Sequence, residues 1–343
     1  MNEPHEDGAP AAWAALGPLM DLVTPMALRV AATLRIADLI GDGAAEIGEL
    51  AERSGTDADV LARILRHLVA RGVFAEPEPG RFSVSGPARF LRSDHPAGMR
   101  VSLDLEGFGG RMDLAFTGLL HTVRTGEPAW ETVFGKPFWQ YLADEPHIGA
   151  SFDATMATGP EYFADAAAGP DWTNAKHVVD VGGGIGVLLA EVLRANPGVR
   201  GTLVDLPDTV RRGEAHLTEH GLAGRCAFAG QSFFDPLPTG GDVYLLGHVV
   251  HDWPDEEAVA ILRRCAEAAG DHGRVVIIEG PGTADADPAA FAEMNLRMLV
   301  LAGGRQRAPE EYRALADAAG LRVTDVRTTP LGHDVIECVA AGA

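Results

Sequence analysis

The sequence predicts an α/β fold, with a doubly wound, mostly parallel seven-stranded sheet behind a mainly α amino-terminal domain of winged-helix outline. Apolar runs of strand length recur at 177–181, 201–205, 225–229, 242–248 and 274–280, with helical patterns expected between them. Two more runs, 321–328 and 335–340, are joined by the short link 329–334 and predict a hairpin, which makes one strand antiparallel. A glycine turn, Gly182-Gly183-Gly184-Ile185-Gly186, follows the first run, at the carboxyl end of a strand where open α/β sheets bind ligands.

The elements follow in chain order. Residues 26–40 read as an Ala- and Leu-rich helix, 46–53 and 57–71 as a helix pair around Ser54-Gly55-Thr56, and 74–84 as two strands about Pro77-Glu78-Pro79-Gly80. The second helix of the pair carries Arg63, Arg66, His67 and Arg71, as a DNA reader would, but Asp57 and Asp59 stand among them. A dimerisation module is the better reading. Residues 95–170 read as helices rich in large side chains, including Phe108, Met112, Phe116, Trp130 and Phe134. Most such residues are core, yet a segment of this kind beside a nucleotide-type domain is also where a pocket for a flat ligand is built. The last helix before the fifth strand has an apolar stripe, Ala258, Ile261, Leu262, Cys265, Ala266 and Ala269, with Pro254 at its start and Gly270 at its end. The expected domains are therefore 12–95 for dimerisation, 96–172 as a helical linker contributing to the pocket, and 173–343 for cofactor binding.

Composition narrows the partners. With 28 basic and 49 acidic residues the net charge is −21, which opposes binding to nucleic acid or an anionic membrane. No uninterrupted run of 18 apolar residues is present, and Met1 to Pro10 is polar and acidic, so a cytoplasmic protein is expected. Cys226, Cys265 and Cys338 are far apart in apolar patterns, which predicts free thiols and neither a disulfide nor a zinc knuckle.

The glycine turn selects its ligand by spacing. A dinucleotide fingerprint needs a third glycine where Val187 or Leu189 stands, and a phosphate loop needs a Gly-Lys-Ser/Thr that is missing. Asp205 ends the second strand 19 residues after Gly186, where a carboxylate accepts both hydroxyls of a ribose. A nucleoside other than a dinucleotide fits these constraints.

Taken as a set, DVGGGIG (180–186), LVDLP (203–207), GQSFFDPLP (230–238), HDWPDEEA (251–258) and GGRQR (303–307), behind a winged-helix segment, carry a family likeness. From about residue 20 to 340 the chain resembles the S-adenosylmethionine-dependent O-methyltransferases of the plant caffeate and bacterial polyketide type. The resemblance implies a Rossmann-like methyltransferase domain, S-adenosylmethionine as cofactor with S-adenosylhomocysteine as product, no metal, a homodimer with interlocking winged-helix parts, and a small aromatic hydroxyl as acceptor. By position it assigns Gly182 and Gly184 to the methionine part of the cofactor, Asp205 to the ribose, and Ser232, Phe233 and Leu206 to the adenine, with Trp139 also against the cofactor. Many relatives carry Asp where Ser232 stands, and Leu206 and Phe233 suit plain core packing equally well.

The resemblance makes His251 the general base and Glu279 the carboxylate that orients it. A lone His is otherwise more often structural. Gln306 takes the place of the family's second glutamate and supplies no negative charge, and Asn295 stands where many bacterial relatives carry Asp. Both changes make the site less anionic, a hypothesis that suits an acidic phenol or a quinonoid acceptor. Asp252 and Trp253 are expected to anchor the loop. His248 with His251, or His216 with His220, could suggest a metal pair, but no third ligand stands at a suitable spacing and no metal is assigned.

The acceptor pocket is expected from Phe138, Trp139, Phe152 and Met156 together with Asn295, Met298 and Leu299, an inventory that favours a polycyclic aromatic such as an anthraquinone-like polyketide intermediate. The predicted function is methyl transfer to a hydroxyl of such a molecule in natural-product assembly. Two other readings compete with it. An enzyme could keep the fold and cofactor yet catalyse a hydroxylation or a pericyclic step, although retention of His251 and Glu279 weighs against that. A winged-helix regulator is opposed by the charge.

Overall fold

A computed structural model describes residues 9–280 and 288–342. The chain divides into two compact units, Met1–Arg111 and Met112–Ala343.

The first unit contains α1 (Ala9–Leu16), α2 (Val23–Thr33), α3 (Ile36–Ile40), β1 (Ala44–Glu46), α4 (Ile47–Ser54), α5 (Ala58–Ala70), β2 (Phe74–Glu78), β3 (Arg81–Val84) and α6 (Met99–Ser102). Its sheet has the antiparallel order β1-β3-β2. The Asp57 carboxylate accepts the Val60 N–H at 2.9 Å and caps α5, while Gly55, at φ 67°, ends α4 in a left-handed turn that only a residue without Cβ adopts freely. Two expectations change here. The helix read over 26–40 is two helices, because Arg35 takes a left-handed backbone (φ 53°) between α2 and α3. The wing gains a third strand, β1, whose three residues are too few to make a readable alternation.

Leu50, Leu61, Leu65, Leu68 and Phe82 form the core of this unit. Ala27, Ala31 and Ala32 of α2 join this core, and the stretch Ala9–Thr33 to which they belong is long and apolar enough by composition to cross a membrane, with mean hydropathy 1.3, although Asp21 and Arg29 interrupt it. Trp13, Leu16, Leu19, Met20, Leu22 and Val23 are all exposed along it.

α7 (Phe108–Ala115) leads into the second unit, where α8 (Leu119–Thr125), α9 (Ala129–Phe134), α10 (Phe138–Asp144), α11 (Pro146–Met156) and α12 (Pro160–Ala168) precede the sheet. β4 (His177–Val181), β5 (Arg200–Asp205), β6 (Cys226–Gly230), β7 (Val243–Gly247) and β8 (Arg274–Glu279) run parallel, and β10 (Asp334–Ala340) lies antiparallel between β8 and β9 (Leu321–Thr328). The seven-stranded order is β6-β5-β4-β7-β8-β10-β9. From β4 the chain therefore winds outward through β5 and β6, then returns to β7 and β8 on the other side. The crevice at the carboxyl ends of β4 and β7 is the switch point where such sheets take ligands.

Side chains alternate faces along each strand. Tyr244 and Leu246 of β7 join Ile261, Leu262 and Cys265 of α15 (Asp255–Ala269) and Tyr312 of α17 (Pro309–Ala318). Val243 and Leu245 join Leu188 and Leu189 of α13 (Val187–Ala195) on the opposite face. Burial on both faces explains why the parallel strands read as continuous apolar runs. α14 (Pro207–Glu219) links β5 to β6, but the helix expected between β6 and β7 is absent from residues 231–242. That segment carries Pro236, Pro238, Gly240 and Gly241, which remove amide donors and favour turns, and it contributes Phe233 and Phe234 to the core instead. Among the described residues the three cysteines are free.

Candidate active site

Backbone sterics shape the glycine turn. Gly182, Gly184 and Gly186 have φ of 69°, 58° and 80°, in the left-handed region that a Cβ disfavours. A Cβ on Gly184 would meet nothing within 4 Å, so this residue borders open space. One on Gly182 would press on Val249 at 2.9 Å and on the Phe233 ring at 3.2 Å, and one on Gly183 would strike the Asp180 carboxylate and Leu203. Gly183 is a glycine because Asp180 lies beneath it.

Two carboxylates flank this turn. Asp205 accepts the Gly184 N–H at 2.9 Å with one oxygen and the Leu206 N–H at 2.7 Å with the other, which fixes it at the end of β5 with acceptor capacity to spare. Burial pushes its pKa up to about 6 in spite of both amides. Asp180 is 1% exposed, neither of its oxygens has a hydrogen-bond partner, and burial followed by the Asp205 charge pushes it up to about 7. Asp205 was expected in the site and Asp180 was not, although an acid inside the apolar run Val178-Val179-Asp180-Val181 is a signal in its own right. Nearby, the Ser232 hydroxyl accepts the Phe234 N–H at 3.2 Å and so shapes the turn after β6, while Leu206 is 39% exposed.

The second half of the site is built on Glu279, the last residue of β8. One Glu279 oxygen accepts the N–H groups of Val250 and His251 at 2.9 and 3.2 Å, and the other lies 2.7 Å from His251 Nδ1. His251 Nε2 stands 3.4 Å from Asp252 Oδ1. Burial alone would lower the imidazole pKa, but the charges of Glu279 and Asp252 outweigh it and hold His251 well above its ordinary 6.5. Burial likewise acts to raise Glu279, and the His251 charge overcomes it, leaving the carboxylate below its usual range. Both shifts favour the ion pair over the neutral pair.

The stretch of chain after α16 (Pro288–Ala302) packs against this turn. A Cβ on Gly304 would collide with the His251 and Asp252 backbone, and the Arg305 N–H donates to the His251 carbonyl at 2.9 Å. The Gln306 N–H donates to Asn295 Oδ1 at 3.1 Å, which ties together the two residues whose acidic counterparts the family pattern carries. Arg307 is fully buried; it donates to the Val250 carbonyl at 2.9 Å and the Trp253 carbonyl at 2.7 Å, and pairs with Asp255 at 2.8 Å. Sequence reasoning gave Arg307 no role, since its carbonyl partners stand 54 and 57 residues away and carbonyls leave no mark on residue type.

An aromatic set is tied to this turn through Trp253. Trp253, two residues past His251, stacks on Trp139 at 5.6 Å and 12°. Phe138 lies edge-on to Trp139 at 4.7 Å and to Phe152 at 5.8 Å, and Phe233 lies edge-on to Trp253 at 5.7 Å. The ring set runs continuously from α10 and α11 to the segment after β6. Phe138 and Met298 are buried, Leu299 is half-buried, and Met156 at the end of α11 is 47% exposed. Trp253, expected only to anchor its loop, is part of the aromatic set.

Residues 116–322 match the O-methyltransferase domain family, and residues 19–94 match the O-methyltransferase dimerisation domain. The chain belongs to the S-adenosylmethionine-dependent O-methyltransferases. It is 45% identical over 317 residues to 2,7-dihydroxy-5-methyl-1-naphthoate 7-O-methyltransferase of Streptomyces carzinostaticus, covering 92% of this chain and 95% of that one. Aclacinomycin 10-hydroxylase RdmB of Streptomyces purpurascens is 40% identical over 335 residues, covering 94% of this chain and 89% of its own. The crystal structure of an O-methyltransferase (NcsB1) from neocarzinostatin biosynthesis, in complex with S-adenosylmethionine and 2-hydroxy-5-methyl naphthoic acid, matches with a TM-score of 0.87 at 44% identity, over 94% of this chain and 98% of that one.

The methyltransferase uses S-adenosylmethionine, and the residues at the switch point fit it. Open space borders Gly184, Asp205 retains acceptor capacity, and the Asp180 carboxyl lies unpartnered beneath Gly183. Two outcomes follow. Gly183→Ala should destabilise the fold by about 1–3 kcal/mol, seen as a Tm several degrees lower; a Tm equal to wild type would overturn the steric account. Cofactor affinity, measured by titration calorimetry, should fall as pH drops from about 7.5 to 5, because protons bind Asp180 (about 7) and Asp205 (about 6) and remove the charge that the cofactor meets. Constant affinity over that interval would take these carboxylates out of the site.

Proposed function

We propose that this enzyme methylates a hydroxyl of a polycyclic aromatic natural-product intermediate, of aromatic polyketide or anthraquinone-like type, with His251 as general base. The observation that carries this reading is the buried His251–Glu279 pair with the Trp139–Trp253 stack two residues away. The relative named as a naphthoate 7-O-methyltransferase, and the structure in complex with a naphthoic acid, support a fused-ring acceptor.

S-adenosylmethionine supplies an electrophilic methyl group on a sulfonium. Gly182, Gly184 and Asp205 hold it, with Leu206, Ser232, Phe233 and Trp139 around its adenine and flank. Phe138, Phe152, Met156, Asn295, Met298 and Leu299 line the acceptor side and hold the ring in the alignment that a displacement needs. His251 receives the hydroxyl proton at Nε2, while Glu279 fixes the ring through Nδ1 and stabilises the imidazolium that results. Gln306 contributes hydrogen bonding without charge.

The raised pKa of His251 sets the pH dependence, because the base works only after it has lost its resting proton. With a weakly acidic phenol, kcat/KM should rise with pH through an apparent pKa above 6.5. In Glu279→Gln the rising limb should move to lower pH, since the stabilising charge is gone, and the plateau should fall about 10²-fold. His251→Ala should lower turnover about 10²–10⁴-fold with cofactor affinity near normal; wild-type turnover would remove His251 from the mechanism.

The 40% identity to a hydroxylase favours a second reading, in which the cofactor is bound but not consumed. Stoichiometric S-adenosylhomocysteine per product would support methylation. Product formed without it would sink methylation and support the hydroxylase-like reading.

A second copy of the chain is proposed to cover the exposed apolar side chains between Trp13 and Val23, in keeping with the dimerisation-domain match. A homodimer of this kind needs neither nucleic acid nor membrane as partner, and its expected location is the cytoplasm. Light scattering should give a dimer, and the pair Leu19→Asp with Leu22→Asp should give a monomer; a dimer that survives both changes would exclude this surface.

A further inference from the structure

His248 has no part in the proposed methyl transfer, yet the fold holds it in an unfavourable backbone state. It follows β7 with φ 57°, one of two non-glycine residues with positive φ among the described residues. Its N–H donates to the Ile278 carbonyl at 2.8 Å and Tyr162 stacks on its ring at 5.3 Å and 23°, so the imidazole is fixed. Its Nε2 is buried without a hydrogen-bond partner. Two neighbouring atoms share that condition: His251 Nδ1 and Glu279 Oε2 approach to 2.7 Å as an ion pair, but neither completes an in-line hydrogen bond.

One ligand atom from each of His248, His251 and Glu279 lies within 4.8 Å of the others. Two imidazoles and a carboxylate form a donor set of the kind that holds zinc or another divalent first-row metal. The third ligand escapes a reading of His spacing because Glu279 comes from the neighbouring strand, 28 residues on from His251. We propose that His248, His251 and Glu279 bind a divalent transition cation, Zn²⁺ fitting best, and that the bound ion blocks methyl transfer by capturing the base and its carboxylate. The binding half stands on the geometry alone, while the blocking half rests on the role proposed for His251. The ion takes the imidazoles as neutral rings and the carboxylate as an anion, so protons compete with it.

His248→Asn tests this, because asparagine tolerates the left-handed backbone and removes the imidazole. Calorimetry with Zn²⁺ and visible absorption with Co²⁺ read binding directly. Wild-type protein should bind one ion per chain and lose activity as it does. His248→Asn should keep turnover within about twofold, while both its Zn²⁺ affinity and its sensitivity to Zn²⁺ inhibition should fall at least about tenfold. Glu279→Gln, with folding checked by circular dichroism, should also lose Co²⁺ absorption. Equal Zn²⁺ affinity in wild type and His248→Asn would overturn the site. Binding that depends on His248 but leaves activity untouched would uphold the site and overturn the role of His251 as base.

Discussion

Burying the Glu279 carboxylate at 1% exposure is costly unless donors meet it, and the donors it meets are what hold the turn from 250 to 253 in shape. Its first oxygen takes the N–H groups of Val250 and His251, and its second faces the His251 ring. From the other direction the Arg307 guanidinium takes the carbonyls of Val250 and Trp253. The turn from 250 to 253 is thus suspended between an anion that reads its amides and a cation that reads its carbonyls. Both ions are buried, Glu279 Oε1 is met by the amides of the turn and Arg307 by its carbonyls and by Asp255, so loss of either ion leaves buried groups uncompensated; removing one partner of a buried pair costs about 3–5 kcal/mol. The imidazole is positioned through its backbone as much as through its ring.

The cofactor half of the crevice uses the opposite device. Asp180 is left without partners and Asp205 is only partly satisfied, so burial raises both pKa values and the crevice favours any cation that enters. Gly183 permits this by leaving room over the Asp180 carboxylate. A chain with net charge −21 repels polyanions but not a molecule carrying a sulfonium and an ammonium, and the local carboxylates act in the same sense as the global charge.

The parts of this architecture legible in the sequence are those in which neighbours along the chain share a cause. Runs such as Val243 to Leu246 are apolar because both faces of their strand are covered, and the glycine turn is written in consecutive residues that need left-handed backbone. Arg35 breaks a helix without any local breaker residue, and residues 231–242 cross the sheet without a helix because prolines and glycines leave nothing to nucleate one. Arg307, Trp253 and the convergence of His248 on Glu279 come from pairings across the fold, where the partner is a carbonyl, a ring or a strand neighbour that residue type does not announce. Asp180 was legible in principle, as a lone acid in a buried strand, and needed only the question of what would pair with it.

The amide at Gln306 bears on the proton balance of the dyad. Glu279 and Asp252 already hold His251 protonated against the pull of burial, and a base that keeps its proton is of no use to a neutral phenol. A second glutamate at 306, as the family pattern has it, would add to that stabilisation and leave less free base near neutral pH. Gln306 is neutral, and its backbone N–H is tied to the equally neutral Asn295. The same fold serves a 40% identical hydroxylase, so fold alone does not decide the chemistry. What weighs toward methyl transfer here is a ring whose proton affinity two carboxylates, Glu279 and Asp252, raise against burial.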